Sequence, residues 1–187
     1  MSEAEKKTIS PQDLVFQKDV YEKGKKIFQL AEKHLGIRLF VHAEDSSLEE
    51  GKIFLFNHFT RFETVIPGYI FYQRFGDFTR TITDHGLFRL NPKLDKFLFG
   101  AGGVPNNMPG LLPFLAAELL RGRRVVIFPE GKMIKDRKVM NSEGSFQLFS
   151  DNGEVYREHH RGAAVLALTV ELFKRRIKSL FDDGDTP

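Results

Sequence analysis

Lys52–Ile53–Phe54–Leu55–Phe56–Asn57–His58–Phe59–Thr60–Arg61–Phe62–Glu63 begins with a short apolar run, Ile53–Phe56, and then turns polar. A continuous run of that length reads as a strand buried on both faces, as in parallel sheets. Val125–Val126–Ile127–Phe128–Pro129–Glu130–Gly131–Lys132 repeats the plan. Here Arg124–Phe128 is the expected strand, and Pro129 stops its ladder because proline has no N–H to donate. Helical patterns lie between the two. Strands alternating with helices predict an α/β fold: a mostly parallel central sheet with flanking helices.

Upstream, Ser10 and Pro11 look like a helix start, with Asp13 in the first turn. Apolar residues near helical spacing continue to Leu35–Gly36, beside Lys18, Lys23, Lys25, Lys26 and Lys33. Such a helix either docks by its apolar stripe or lies against anionic lipid. Ile37–His42 alternates like a strand, and Ala43–Gly51 reads as a polar turn. Pro67 is tolerated only in a first turn, so the next helix is expected from about Glu63–Thr64 to Arg74. A strand at Arg80–Thr83, a helix at Phe88–Phe99, a loop at Gly100–Gly110 and an apolar helix at Leu111–Leu120 follow. Lys132–Glu158 is polar with little periodicity. Gly162–Leu180 reads as a helix whose first half, Ala163–Leu168, is apolar all round and should be buried. Residues 1–9 and 182–187 are expected to be unstructured, leaving one domain over residues 10–181.

Composition narrows the chemistry. With 187 residues, 41% of them hydrophobic, the chain can bury the core of one domain. It has no Cys, which excludes disulfides, Cys-based zinc sites and a Cys nucleophile. The His residues show no metal-ligand spacing, so no metal is expected. The formal charge of +3 leans toward anionic partners or is a solvated basic surface. Aromatic residues are almost all Phe, 19 against 4 Tyr, which suits a core, an acyl-chain site or a membrane interface. The amino terminus has no signal-peptide pattern, and no apolar run reaches the ~18–20 residues of a membrane span. A soluble or peripheral protein is the expectation.

His58 directly follows a strand, so it is expected at the carboxyl end of the sheet, where α/β folds bind ligands. Glu63 falls near a helix start, which favours an ionised carboxylate. A short loop between them lets the carboxylate hold one imidazole nitrogen while the other accepts a hydroxyl proton, making a general base with its orienter. A His and a Glu at this spacing also occur by chance. The second strand end adds weight: Gly131 permits a sharp turn or close approach, and Glu130 can receive a hydroxyl or hold a cation. Between Arg121 and Lys138 seven Lys/Arg face two acids, a surplus that suits a phosphate or forms a solvated basic loop. Lys132 is the stronger candidate for contact, ahead of Lys135, Arg137 and Lys138.

Asn57–His58–Phe59–Thr60–Arg61–Phe62–Glu63 resembles the NHxSxxD block of the glycerol-3-phosphate and lysophospholipid acyltransferase family, and Phe128–Pro129–Glu130–Gly131 matches that family's FPEG block. Arg161–Ala167 is similar to the helix start that follows it. The resemblance covers roughly Phe40 to Leu172. It implies an O-acyltransferase acting in phospholipid biosynthesis on the cytoplasmic side of a membrane, as a peripheral protein. His58 would take the proton from the acceptor hydroxyl, which attacks the thioester of acyl-CoA or acyl carrier protein; no other cofactor is implied. Glu63 would orient His58. Asn57, Thr60, Arg61, Phe128, Pro129, Glu130, Gly131 and Lys132 form the implied substrate-binding set, and the acceptor is a lysophospholipid or glycerol phosphate. Glu63 stands where the family has Asp, and Thr60 where it has Ser. Gly102–Asn107 stands where the family has a glycine loop ending in a phosphate-binding Arg, with Asn in place of that Arg; Arg89 or Arg61 could compensate. The family's fourth block is missing, so the chain is expected to be a C-terminally incomplete piece or to need a partner. The alternative reading is a non-catalytic or truncated acyltransferase-like domain that binds lipid or a partner. Nucleic-acid binding through Arg121–Arg124 and Lys174–Lys178 lacks a stacking or reading element.

Overall fold

The computed structural model describes residues 9–36, 38–42, 45–57, 65–88, 90–129 and 161–182. Four strands, β1 (Ile53–Leu55), β2 (Thr79–Thr83), β3 (Gly103–Pro105) and β4 (Arg124–Ile127), form one sheet among them, in the order β1-β4-β2-β3. Every pairing is parallel, so the α/β expectation holds. The helices are α1 (Lys18–Leu35), α2 (Asp45–Glu50), α3 (Ile66–Phe75), α4 (Pro92–Gly100), α5 (Leu111–Leu120) and α6 (Gly162–Asp182).

The expected first helix is two pieces. Pro11–Asp13 forms a single 3₁₀ turn, and the Ser10 N–H donates to the Asp13 carboxylate at 2.8 Å. The chain then leaves helical geometry until Lys18, because tertiary partners claim the segment. Leu14 enters the core, its carbonyl accepts from Arg80, and the Gln17 N–H donates to the Gly100 carbonyl. Gly36 closes α1 in the left-handed conformation, as a C-terminal glycine does.

Other differences have equally local causes. Among the described residues, 38–42 pair with no strand, and α2 occupies part of the expected polar turn. β1 lies at the sheet edge with Leu55 more than half exposed, so it is not buried on both faces. Pro67 does sit in the first turn of α3, but the helix starts at Ile66. Pro92 opens α4 rather than interrupting a longer helix, with the Asn91 side chain accepting from the Lys93 N–H at 2.8 Å. β3 and β4 are buried along their whole lengths, whereas β1 and β2 are not.

β3 was hidden in the expected Gly100–Gly110 loop. It forms because Gly102 lets the chain pass close under β2. Gly102 has φ +86°. A Cβ there would fall on the Thr79 carbonyl oxygen and against the Phe16 ring and the Tyr21 hydroxyl. The Tyr21 O–H donates to the Ala101 carbonyl at 2.8 Å, fixing the same turn. Gly102→Ala is expected to cost about 1–3 kcal/mol of stability, read as a lower urea midpoint at unchanged slope.

The core lies between the sheet, α5 and α6. Leu115, Ala116 and Leu119 of α5 meet Val125, Ile127, Leu166 and Val170. Each fully buried leucine contributes about 1.5–3 kcal/mol. At the amino end of the sheet, Glu118 of α5 is buried among Arg80, Arg121 and Arg123, at 2.7, 3.0 and 3.3 Å. Arg80 also stacks 3.7 Å from the Phe16 ring centre. Arg124 pairs with Asp77 and donates to the Glu49 carbonyl at 2.8 Å. These contacts tie α2, α5 and the first 3₁₀ turn to the strand beginnings. The opposite, carboxyl edge carries none of this cluster.

Candidate functional site

β1 and β4 are hydrogen-bonded neighbours, with Leu55 opposite Ile127. The ladder continues one step further, where the Phe56 N–H donates to the Ile127 carbonyl at 3.0 Å. Beyond it the Phe56 and Phe128 rings lie 6.2 Å apart. Two residues past the Leu55–Ile127 pair stand Asn57 and Pro129. The chain therefore leaves the sheet at the same level on adjacent parallel strands, whose axes are spaced about 4.8 Å apart. Asn57, Phe128 and Pro129 are brought together. The residues that follow them, His58, Thr60, Arg61 and Glu63 on one side and Glu130, Gly131 and Lys132 on the other, lie outside the described residues.

The positive surplus around this strand end divides in two. Arg121 and Arg123 precede β4 and Arg124 is its first residue, so all three stand at the amino edge, engaged by Glu118, Asp77 and backbone carbonyls. They are therefore a structural lock at the far end of the strand, not a phosphate cradle beside Phe128. Lys132, Lys135, Arg137 and Lys138 follow β4 in the chain and lie outside the described residues, as does Arg89.

The other two strands also end on the carboxyl edge. β2 leads into Asp84 and His85, and β3 into Asn106. The Asn106 N–H donates to the Thr83 carbonyl at 2.9 Å, which seats it. Its Oδ1 accepts from the His85 backbone N–H at 3.1 Å and lies 2.9 Å from His85 Nδ1. An atom that accepts from a backbone amide is the oxygen, so Nδ1 must be the protonated nitrogen. Nε2 is then an acceptor in the neutral imidazole and a second donor in the imidazolium, on a side chain that is more than half exposed. Asp84 is occupied by the Gly86 N–H at 2.8 Å. Sequence reading marked the loop Gly102–Asn107 as a departure from a family pattern, without singling out Asn106, and passed over His85. The signal was available: a His directly after a strand, as with His58.

Among the described residues no group of His, Asp and Glu is placed to hold a metal ion, and no helix is long and apolar enough to cross a membrane. The chain matches no family model, no curated protein and no solved structure.

Proposed function

We propose that the chain is an O-acyltransferase moving a fatty acyl group from a thioester to the hydroxyl of a lysophospholipid or glycerol phosphate at a membrane surface. The observation that supports this most is the direct pairing of β1 with β4. It sets the Asn57 and Pro129 exits side by side, so that the NHxTxxE and FPEG blocks begin from adjacent strands. In this reading His58 takes the proton as the hydroxyl oxygen attacks the thioester carbonyl. The C–S bond then breaks, and the imidazolium returns the proton to the leaving thiolate. Glu63 orients the imidazole. Glu130, Gly131 and Lys132 hold the glycerol-phosphate part, flanked by Asn57, Thr60, Arg61, Phe128 and Pro129. The donor is acyl-CoA or acyl carrier protein.

The test is thiol release coupled to acylated product, with both donors against lysophosphatidate and glycerol 3-phosphate. Product from any pair supports the reading; thiol release with none, or no release at all, overturns it. His85 shares the edge with its Nε2 open, about two strand spacings (~10 Å) from β1. As an imidazolium, His85 would donate from Nε2 to a phosphate, so His85→Ala is expected to raise the KM for a phosphate-bearing acceptor by about tenfold, the loss of one charged-group hydrogen bond, while kcat is kept. A second reading, a lipid-binding domain without turnover, is favoured by the apolar residues left open on α6. Vesicle binding with no thiol release would select it.

A further inference from the structure

The apolar stripe of α6 does not stop where the core stops. Leu166, Val170, Phe173, Ile177 and Leu180 recur at alternating intervals of four and three, so they share one helix face. Leu166 and Val170 are buried in the core with α5 and β4. The same face then continues in the open: Phe173 is 51% exposed, Ile177 44%, Leu180 39% and Phe181 70%.

Cations border this open half on both sides. On helical spacing Arg176 falls on one flank, and Lys174 and Lys178 on the other. Arg175 is held one turn back by Glu171, at 2.7 Å. From Phe173 to the end of the helix the only acid is Asp182. An apolar strip rimmed by long cationic side chains is the pattern of an interfacial helix: the rings enter the boundary between headgroups and acyl chains, and the cations reach lipid phosphates.

We infer that the second half of α6 docks on an anionic lipid surface, with Phe173, Ile177, Leu180 and Phe181 inserted and Lys174, Arg176 and Lys178 on the headgroups. A second copy of the chain fits the face poorly. Packing two such stripes together would bring flanking cations against flanking cations, which opposes pairing. A coiled-coil partner fits poorly too, because the open stripe is shorter than the three to four heptads of such a seam. The choice of a bilayer rests on the proposed lipid acceptor. The open face and its charged rim stand without it.

The test is cosedimentation of the full chain with phosphatidylcholine vesicles, with and without phosphatidylglycerol. Wild type is expected to bind the anionic vesicles and to release as salt rises. Lys174→Glu/Lys178→Glu is expected to weaken binding by at least about 25-fold, from roughly fivefold per lost cation. Phe173→Ser/Phe181→Ser is expected to abolish binding. Both pairs lie on the exposed half, and circular dichroism checks that they fold. Equal binding by wild type and both variants overturns the inference, as does wild type that ignores anionic vesicles. Sedimentation showing a dimer that the Phe variants break also overturns it, in favour of a second copy. His58→Ala is run alongside. If it binds vesicles like wild type while neither protein transfers acyl groups, docking stands and the enzyme reading falls.

Discussion

Glu118→Ala is expected to destabilise the fold by about 3–5 kcal/mol, the usual cost of stranding a buried charge. Glu118 is only 3% exposed, and its Oε2 accepts from Arg80 Nε at 2.7 Å. Arg80 is 4% exposed and already has one guanidinium nitrogen, Nη1, without a hydrogen-bond partner. Without the carboxylate it keeps the Leu14 carbonyl and the faces of the Phe16 and Phe114 rings. Urea unfolding would measure the loss. The double variant Arg80→Met/Glu118→Leu is expected to recover most of it, since an apolar pair of similar volume replaces a buried ion pair at little cost. If the double variant is as unstable as the single one, the cluster acts by shape rather than by charge. The pH dependence has a definite sign. Burial alone would raise the Glu118 pKa, but the hydrogen bonds from Arg80 and Arg121 and the charges of Arg80 and Arg123 outweigh it and hold the pKa below its ordinary value of 4.5. The carboxylate's contribution is therefore complete above the unfolded value and is lost as pH falls through the folded one. The stability gap between wild type and Glu118→Gln should close in acid.

His58→Ala is expected to lower acyl transfer by about 10²–10⁴, the usual contribution of a positioned general base. Its effect should fall on kcat, with the acceptor KM little changed, because in the proposed mechanism the base acts on the hydroxyl as it attacks. The urea midpoint should not move. Glu63→Gln keeps the shape of the side chain but loses its charge, and its rate is expected to fall between wild type and His58→Ala. Equal transfer by wild type and His58→Ala, at equal foldedness, would remove His58 from the mechanism.

What the sequence made legible follows from how local each signal is. α5 stands where its apolar run and following glycine placed it, and β4 was readable as a buried run stopped by Pro129. Both carry their cause within a dozen residues. β3 was missed because Gly103–Pro105 has one apolar side chain and depends on the close pass at Gly102, a contact with a distant strand. α1 was drawn too long because the demands of Arg80 and Gly100 on Leu14 and Gln17 are invisible in local spacing. Burial on both faces was assigned to β1 from composition alone, which cannot tell an edge strand from a central one. For the candidate site, the convergence of two strand ends was readable and Asn57 and Pro129 emerge together. Counting Arg121, Arg123 and Arg124 into one surplus with Lys132–Lys138 was not sound, because counting charges along a chain ignores that a strand separates them by its own length.

The strand order has a consequence for biosynthesis. β4 is the last of the strands among the described residues, yet it sits between β1 and β2. Ile53 meets Val125, a separation of 125 − 53 = 72 residues. On the ribosome, β1 emerges long before its neighbour exists, and a nascent chain that lacks β4 has only β2 and β3 to pair. Such distant pairing is slow and leaves strand edges open to wrong partners while it waits. The junction on which the proposed chemistry depends is thus completed late. Chains released before residue 127 would lack it altogether and would carry two unpaired strand edges, a substrate for chaperones and proteases rather than a slower enzyme.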